Sequence, residues 1–164
     1  MKLDKRLILI ILVMLTTAGC DQGTKSLAGS YLPRNEMASY FYDSIRIGYV
    51  ENTGAFLGLG DALPENLRFW LFTVIVAGIL TCLFLYVILT PVLKVRSVIG
   101  ISLILGGGFS NLYDRVVNTG AVVDFLNVGI GAVRTGIFNV ADMGIMLGVT
   151  LVLLAQSKKM TEYK

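Results

Sequence analysis

The sequence predicts a membrane protein of four transmembrane α-helices, with both termini cytoplasmic and a small β-sheet at the outer membrane surface. Of its 164 residues, 55% are hydrophobic and 15% are charged, and the mean hydropathy is +0.74. A soluble domain of this size usually has about a quarter of its residues charged. Four apolar stretches and an uneven distribution of basic residues complete the prediction. No internal repeat or linker interrupts the chain, so we expect one domain over residues 1–164.

Each apolar stretch is close to the roughly 20 residues that a helix needs to cross about 30 Å of hydrocarbon. The predicted spans cover about 7–26, 67–89, 98–113 and 137–155. Pro91 closes the second span, and the sequence LPENLRFW that precedes it is typical of a helix start, with Glu65 in the first turn.

Basic residues predict the orientation of these spans. They collect before the first span, between the second and third, and after the fourth, at Lys2, Lys5, Arg6, Lys94, Arg96, Lys158, Lys159 and Lys164. Cytoplasmic segments carry such an excess, so the two longer connections, about 27–66 and 114–136, should face outward. The net charge of +3 therefore indicates orientation, and we expect no nucleic-acid partner.

The first outer connection contains a strand pattern. Residues 45–50, IRIGYV, alternate apolar and other residues, and the Gly-rich NTGAFLGLGD after them reads as a turn or a second extended piece. Aromatic residues suited to an interface lie nearby, at Tyr31, Tyr40, Phe41 and Tyr42. A small sheet at the membrane surface is the expected result.

Polar and charged residues gather at one face of the predicted topology. The outer ends of the first, third and fourth spans carry Asp21, Lys25, Asn111, Asp114, Arg115, Asn139 and Asp142, and the outer connections carry Asn52 and Asp124. Ionisable groups near hydrocarbon are costly and usually mark a functional site.

Simpler interpretations exist for some of these residues. Asp21 and Lys25 have the i, i+4 spacing of an ordinary helical ion pair, and Asp114 and Arg115 could be common interfacial residues at a helix end. For the glycines 106–108, close helix packing is the favoured interpretation. Asp142 is harder to explain this way, because it falls near the start of an apolar helix.

Two carboxylates in a poorly solvated site could share a proton, so that one activates water while the other remains protonated. Asp124 and Asp142 are the best pair, since the connection 125–141 can fold back and bring the start of the fourth helix beside Asp124. Asp114 with Asp142 is the alternative pair. The chain has no His, and its two Cys lie in separate apolar runs. A zinc site or a Ser-His or Cys-His nucleophile is thereby nearly excluded, and we expect no metal and no cofactor.

Five segments in order resemble the lipoprotein signal peptidases, the type II signal peptidases of bacterial inner membranes. They are DQGTK (21–25), ENTGAF (51–56), GGGFSNLYDR (106–115), VVDF (122–125) and FNVADMGI (138–145). The resemblance implies an aspartic endopeptidase that removes signal peptides from diacylglyceryl-modified prolipoproteins by cutting before the lipidated Cys. It implies four transmembrane helices with a small sheet that cradles the substrate. By motif position, Asp124 and Asp142 would be the catalytic pair.

The same resemblance implies supporting roles for the other motif residues. Asn52 and Gly54 would support the site from the outer segment, Asn111, Asp114 and Arg115 would surround the pocket, Asn139 would orient the pair, and Asp21 with Lys25 would hold the first helix. Three positions depart from the family pattern: NTGAF is one residue shorter than Asn-x-Gly-Ala-Ala-Phe, Ser110 replaces a common Gly, and Met143 replaces a small residue.

We therefore expect a multi-pass protein of the bacterial inner membrane, monomeric, with its site near the periplasmic face and with membrane lipid and lipidated prolipoproteins as partners. The stretch LTTAGC (15–20) resembles a lipoprotein cleavage box, but we interpret it as the uncleaved outer end of the first helix. The alternatives are a small transporter or channel whose carboxylates bind a cation, and a non-catalytic homologue that binds lipoproteins.

Overall fold

The computed structural model describes residues 2–34, 36–55, 60 and 62–161, with side chains described as far as residue 156. Its helices are α1 (Leu3–Tyr31), α2 (Glu65–Leu89), α3 (Val95–Val117) and α4 (Val140–Thr161). Its strands are β1 (Ala38–Tyr40), β2 (Ile45–Asn52), β3 (Val122–Ile130) and β4 (Val133–Arg134). Phe56, Lys164 and the side chains of Lys158 and Lys159 lie outside the described part of the chain.

Each predicted span corresponds to one helix, although the helix ends differ. α2 begins at Glu65, two residues before the predicted span and within the predicted helix start LPENLRFW, and its Trp70–Ile75 segment has π-helical hydrogen bonding. α1 runs on to Tyr31 because no proline occurs before Pro33, which favours the extended conformation seen at Leu32. By length and composition, α2 and α3 could cross a membrane, and α4 has a shorter apolar part, Val140–Gln156.

α3 is the central helix of the bundle. Its buried residues Val98, Ile101 and Leu105 pack with Ile10 of α1 and with α2 at Leu80 and Val87. Large apolar side chains on the outward faces of the other helices remain exposed, among them Ile8, Leu12, Leu15, Ile79, Leu85, Leu147 and Leu153. A bundle with such a surface is suited to lipid surroundings.

Three consecutive glycines in α3 each face a different helix. A Cβ atom at Gly106 would lie 2.9 Å from the Met14 carbonyl oxygen of α1, and one at Gly107 would lie 2.5 Å from the Ala141 carbonyl oxygen of α4. At Gly108 it would lie 2.5 Å from Leu80 of α2. The structure thus confirms that these glycines serve close helix packing.

The strands form one antiparallel sheet in the order β1-β2-β3-β4. β2 confirms the strand predicted at 45–50 and extends to Asn52. β3 and β4 lie in the outer connection 114–136, where no strand was predicted. Ile45 pairs with Val128 and Asn52 with Val122, with a register shift between Ile47 and Val50.

The sheet is held against the C-terminal end of α1. Tyr49 of β2 and Val123 of β3 pack on Ala28, and Leu32 and Phe125 border this cluster. The extension of α1 beyond its predicted end therefore supplies the support on which β3 rests.

After β4 the chain returns to β3 before it enters α4. The backbone N–H of Leu126 donates to the Phe138 carbonyl oxygen at 3.0 Å, and Phe138 N–H donates back to Leu126 at 2.9 Å. This bridge confirms that the connection 125–141 folds back, and it sets the start of α4 beside Asp124.

Candidate active site

Asp124 is a buried carboxyl group in the middle of the sheet, 2% exposed. Asn52 of β2 pairs with Val122 of β3. Val122 and Asp124 are two residues apart on β3, so Asn52 and Asp124 project from the same face of the sheet. Its side-chain amide donates to Asp124 Oδ2 at 2.8 Å, while the amide of Asn139 donates to Oδ1 at 2.7 Å. Both carboxyl oxygens of Asp124 are thus oriented by amide donors.

Asp142 belongs to a capping arrangement at the start of α4. The backbone N–H of Asp142 donates to Asn139 Oδ1 at 2.9 Å, and the backbone N–H of Asn139 donates to Asp142 Oδ2 at 3.1 Å. This exchange is the reciprocal bonding of a capping box, with Asn and Asp in the usual places of Ser or Thr and Glu or Gln. Asn111 of α3 donates to the other oxygen of Asp142 at 3.0 Å.

The two carboxyl groups face one small polar cavity of about 40 Å³. The cavity is lined by Asn52, Ala55, Asn111, Arg115, Val122, Asp124, Ile137 and Asp142. A volume of about 10–15 Å³ is enough for one water molecule when polar partners surround it. The site can therefore hold a water molecule between two carboxyl groups.

Burial changes the ionisation of Asp124. The loss of solvation on burial raises the pKa of this carboxyl group to about 7, against the opposing effect of the hydrogen bond from Asn52. The negative charge of Asp142 raises the pKa of Asp124 further. A carboxyl group in this state can be a proton donor near neutral pH.

Behind the cavity lies a buried ionic cluster of Asp21, Lys25 and Asp114. Lys25 Nζ lies 2.6 Å from Asp21 Oδ2 and 2.8 Å from Asp114 Oδ2, and all three side chains are at most 5% exposed. The i, i+4 pair of α1 is thus not a surface pair, and Asp114 is not an ordinary interfacial residue. The ammonium group of Lys25 thus joins α1 to α3.

Two further side chains complete this cluster. Ser110 donates its hydroxyl to Asp21 Oδ2 at 2.7 Å, and Gln22 donates to Asp114 Oδ1 at 2.7 Å and to the Ser110 hydroxyl at 3.0 Å. Sequence reasoning did not select Gln22 or Ser110 as site residues. The signals were present, because Gln22 lies within the first matched segment and Ser110 departs from the family pattern.

The cluster also fixes α4 and β3. Asp21 Oδ1 accepts the backbone N–H of Ala141 at 2.8 Å, one residue before Asp142. Asp114 Oδ2 accepts the backbone N–H of Val123 at 3.1 Å, one residue before Asp124. Each carboxylate of the cluster therefore restrains the backbone beside one carboxyl group of the cavity.

Arg115 also lines the cavity, one helical turn beyond Asn111 on α3. Its guanidinium group donates to the Gly54 carbonyl oxygen at 2.5 Å and to the Gly120 carbonyl oxygen at 2.8 Å, and it lies over the ring of Phe72. Gly54 is therefore held through its backbone, and its own N–H donates to Asn52 Oδ1 at 3.0 Å.

An apolar groove of about 370 Å³ adjoins Asp142 and Arg115. Phe72 and Val76 of α2, Leu112 of α3, and Ile145 and Met146 of α4 form its apolar walls. The volume is in the range of ligand-binding clefts. Among the described residues, no group of three or more Cys, Asp or Glu side chains is arranged to hold a metal ion.

All ten predicted site residues lie in one connected region. Asn52, Asn111, Arg115, Asp124 and Asp142 line the cavity, and Asn139 joins its two carboxyl groups. Lys25 and Gly54 contact lining residues directly, while Asp21 and Asp114 accept hydrogen bonds from the backbone next to the two cavity carboxyl groups. Asp114, the alternative partner of Asp142, forms an ion pair with Lys25 and accepts hydrogen bonds from Gln22 and from the backbone N–H of Val123.

Comparisons with known proteins agree in pointing to one family. The family model for signal peptidase (SPase) II matches residues 11–158. The lipoprotein signal peptidase of Syntrophus aciditrophicus is 33% identical over 159 residues, covering 93% of this chain and 96% of that protein. The lipoprotein signal peptidase of Borrelia hermsii is 35% identical over 160 residues, covering 94% and 93%. A solved bacterial membrane enzyme superposes with a TM-score of 0.80 at 29% identity, covering 94% of this chain and 91% of that one.

Proposed function

Because the chain belongs to the signal peptidase II family, we propose that Asp124 and Asp142 are the catalytic pair with which it cleaves signal peptides from prolipoproteins. The observation that carries this assignment is the shared cavity, which both carboxyl groups line and which has room for a water molecule. Each carboxyl group is held by its own amide donors, so the geometry exists before substrate binds.

In the proposed mechanism, ionised Asp142 is the general base and protonated Asp124 is the general acid. The raised pKa of Asp124, about 7, favours this division of roles, and the N-terminus of α4 favours a negative charge on Asp142. Asp142 takes a proton from the water molecule as the water oxygen attacks the scissile carbonyl carbon. Asp124 gives its proton to the carbonyl oxygen, which yields a neutral tetrahedral intermediate.

Collapse of the intermediate restores both groups. A hydroxyl proton of the intermediate returns to Asp124 as the carbonyl re-forms, the C–N bond breaks, and Asp142 transfers its proton to the departing amine nitrogen. Arg115 lies at the same cavity, and its positive charge would stabilise negative charge that develops on the carbonyl oxygen. The amide donors of Asn52 are directed to Asp124 and to the Ala55 carbonyl, which suits an orienting role.

We propose that the apolar groove beside Asp142 receives apolar parts of the precursor next to the scissile bond. Its walls from α2, α3 and α4 would shield that segment from water, while the polar cavity supplies the water molecule for attack. A diacylglyceryl-modified Cys on the product side of the bond fits this arrangement, since its acyl chains could stay in lipid.

The proposed topology has four transmembrane helices in a bacterial inner membrane, both termini in the cytoplasm, and the site at the periplasmic face. Exposed apolar side chains on all four helices support four spans. We propose a monomeric enzyme, since the residues of one chain are enough to form both the cavity and the buried cluster. The basic residues Lys94 and Arg96 between α2 and α3 support the orientation.

The test is cleavage of a diacylglyceryl-modified precursor by purified protein in detergent. We expect Asp124→Asn and Asp142→Asn each to reduce the rate by at least about 10³-fold, because an amide can neither take nor give the required proton. Asp4→Asn, the same change at an exposed carboxylate of α1, should leave the rate unchanged. The cleavage rate of the same precursor without the diacylglyceryl group shows whether the enzyme needs this lipid for cleavage.

Correct insertion of each variant is checked by its yield from membranes and by its thermal unfolding. Normal cleavage by well-folded Asp142→Asn would show that the pair is wrongly assigned. Loss of cleavage in both variants with retained binding of the precursor would separate catalysis from a role in lipoprotein binding alone.

A further inference from the structure

We propose that Lys25 is a positioning residue for catalysis, which fixes the side-chain amide of Asn111 so that Asn111 donates to Asp142. This inference rests on the proposed function of Asp124 and Asp142, and it goes beyond a role for Lys25 in anchoring α1. The ammonium group of Lys25 does not line the cavity, but it determines the orientation of Asn111, which does.

The ammonium group of Lys25 has three hydrogens and three acceptors. They are Asp21 Oδ2 at 2.6 Å, Asp114 Oδ2 at 2.8 Å and Asn111 Oδ1 at 2.8 Å. An ammonium group has three donors and no acceptor, so an oxygen must face it at each position. The end of the Asn111 amide that faces Lys25 must therefore be its oxygen.

The orientation of the Asn111 amide determines which of its atoms faces Asp142. With Oδ1 of Asn111 directed to Lys25, its Nδ2 is directed to Asp142 Oδ1 at 3.0 Å. Rotation of the amide by 180° would bring the oxygen of Asn111 against a carboxylate oxygen and its NH₂ group against the ammonium group. Both contacts would be repulsive, so the charge of Lys25 selects one of two otherwise similar orientations.

Asn139 gives weaker support to the same orientation. Its NH₂ group also donates to Asn111 Oδ1, at 3.1 Å, but it is shared with Asp124 Oδ1 and with the Val123 carbonyl oxygen. Lys25 directs one hydrogen to each acceptor, and a hydrogen bond from a charged donor is stronger than one from an amide. Lys25 is therefore the main restraint on Asn111.

The cluster is built so that this cation can remain buried. Lys25 is 5% exposed, and the two carboxylates beside it compensate its charge. The charged groups that interact with it are Asp21 on α1, Asp114 on α3, Asp124 on β3 and Asp142 on α4. Its positive charge also opposes the rise in the pKa of Asp124 that burial causes.

The first test variant is Lys25→Met, which keeps a long side chain and removes the charge and the donors. We expect kcat for a lipidated precursor to fall about 10²-fold with KM within about threefold, since misplacement of a reacting group by about 1 Å has an effect of that size. Loss of the cation should also raise the pKa of Asp124, so the alkaline limb of the pH–kcat profile should move to higher pH.

The second variant, Lys25→Met with Asp114→Asn, keeps the net charge of the cluster unchanged. We expect the loss of kcat to persist while the shift of the alkaline limb becomes smaller, because orientation and charge are then separated. Ser110→Ala is the matched control: it removes a contact to Asp21 in the same cluster but none to Asn111. It should lower the thermal stability and leave the pH profile of kcat unchanged.

Binding of a precursor whose scissile carbonyl is replaced by a methylene group reports whether the site is folded. Retained binding with reduced kcat and a shifted profile supports the proposal. Wild-type kcat and profile in Lys25→Met overturn it, as does parallel loss of binding and activity in both variants, which would make Lys25 purely structural. Wild-type protein that does not cleave would instead contradict the proposed function.

Discussion

At the scale of single residues, the proposed catalytic site includes the N-terminal cap of α4. Asn139 and Asp142 exchange hydrogen bonds at the start of α4. Asn139 also donates to Asp124, and Asp142 also accepts a hydrogen bond from Asn111. Replacing a capping Asn by Ala costs about 1 kcal/mol in typical helices. In this protein the same change would also remove a donor to Asp124, so stability and activity are joined at Asn139.

The pH dependence of cleavage follows from the ionisation of Asp124. A general acid is active while protonated, so kcat should fall as the pH rises through the pKa of Asp124, about 7. The hydrogen bond from Asn52 favours the ionised carboxylate and lowers that pKa. Removing the donor with Asn52→Leu should therefore move the alkaline limb of the pH–kcat profile to higher pH, whatever its effect on the maximum rate.

The measurement is kcat at saturating lipidated precursor between pH 5 and about 9, a range that brackets the raised pKa. Asn127→Leu changes a different Asn of the sheet, one that contacts Thr135 and Arg134 rather than Asp124, and serves as the control. An alkaline limb that moves to lower pH in Asn52→Leu would contradict the assignment of Asp124 as the acid.

Residue spacing alone predicted part of this site. The i, i+4 spacing of Asp21 and Lys25 indicated an ion pair, but the same spacing fits an exposed pair and a buried one equally well. Asp114, the partner that makes the pair a cluster, comes from α3, and its contact depends on how two helices pack. Ser110 likewise has a role because α1 approaches α3 closely.

At the scale of elements, the long helices were predictable and the second half of the sheet was not. Hydropathy over about 20 residues is a strong signal for a membrane helix. β2 alternates apolar and polar residues, whereas VVDFLNVGI of β3 has no clear alternation, because Val122, Val123 and Asp124 are all buried. Its pairing partner β2 lies far away in the sequence.

The glycine contacts of α3 predict which helix substitutions are tolerated. Gly107→Ala would place a Cβ atom 2.5 Å from the Ala141 carbonyl oxygen, so α4 must move away from α3. We expect the free energy of unfolding to fall by about 1–3 kcal/mol, the usual cost of overpacking. Activity should fall as well, because Ala141 precedes Asp142.

Gly78→Ala is the matched control, since a Cβ atom there would meet no atom within 4 Å. It should retain stability and activity, as measured by unfolding in mixed micelles and by precursor cleavage. Equal effects of the two substitutions would show that close packing of α3 on α4 does not explain Gly107.

At the scale of the whole molecule, α1 unites the bundle and the sheet. Its middle packs on α3, Asp21 and Lys25 reach the site, and Ala28 supports Tyr49 and Val123. The cavity lies where the C-terminal end of α3 and the N-terminal end of α4 meet β3. In the proposed topology, this arrangement would place the cavity at the membrane surface.

The orientation predicts which connections are accessible from outside the cell. In a background with Cys20→Ser and Cys82→Ser, Val133→Cys in β4 should react with a membrane-impermeant maleimide in intact spheroplasts. Val92→Cys, between α2 and α3, should react only after permeabilisation. Both valines are more than 80% exposed, so accessibility within the protein is matched. The opposite labelling pattern would contradict the proposed topology.

The distribution of the site along the chain also determines when the enzyme can first act. Asp142 and α4 come last in the sequence, and the backbone of Ala141 needs Asp21 of α1 as its acceptor. During synthesis, the proposed catalytic pair cannot form until α4 has left the ribosome and packed beside α3. By then Thr17, within the box-like stretch of α1, is buried against Gly106 and Gly144. The packing of α4 that brings Asp142 to the cavity therefore also covers Thr17 through Gly144.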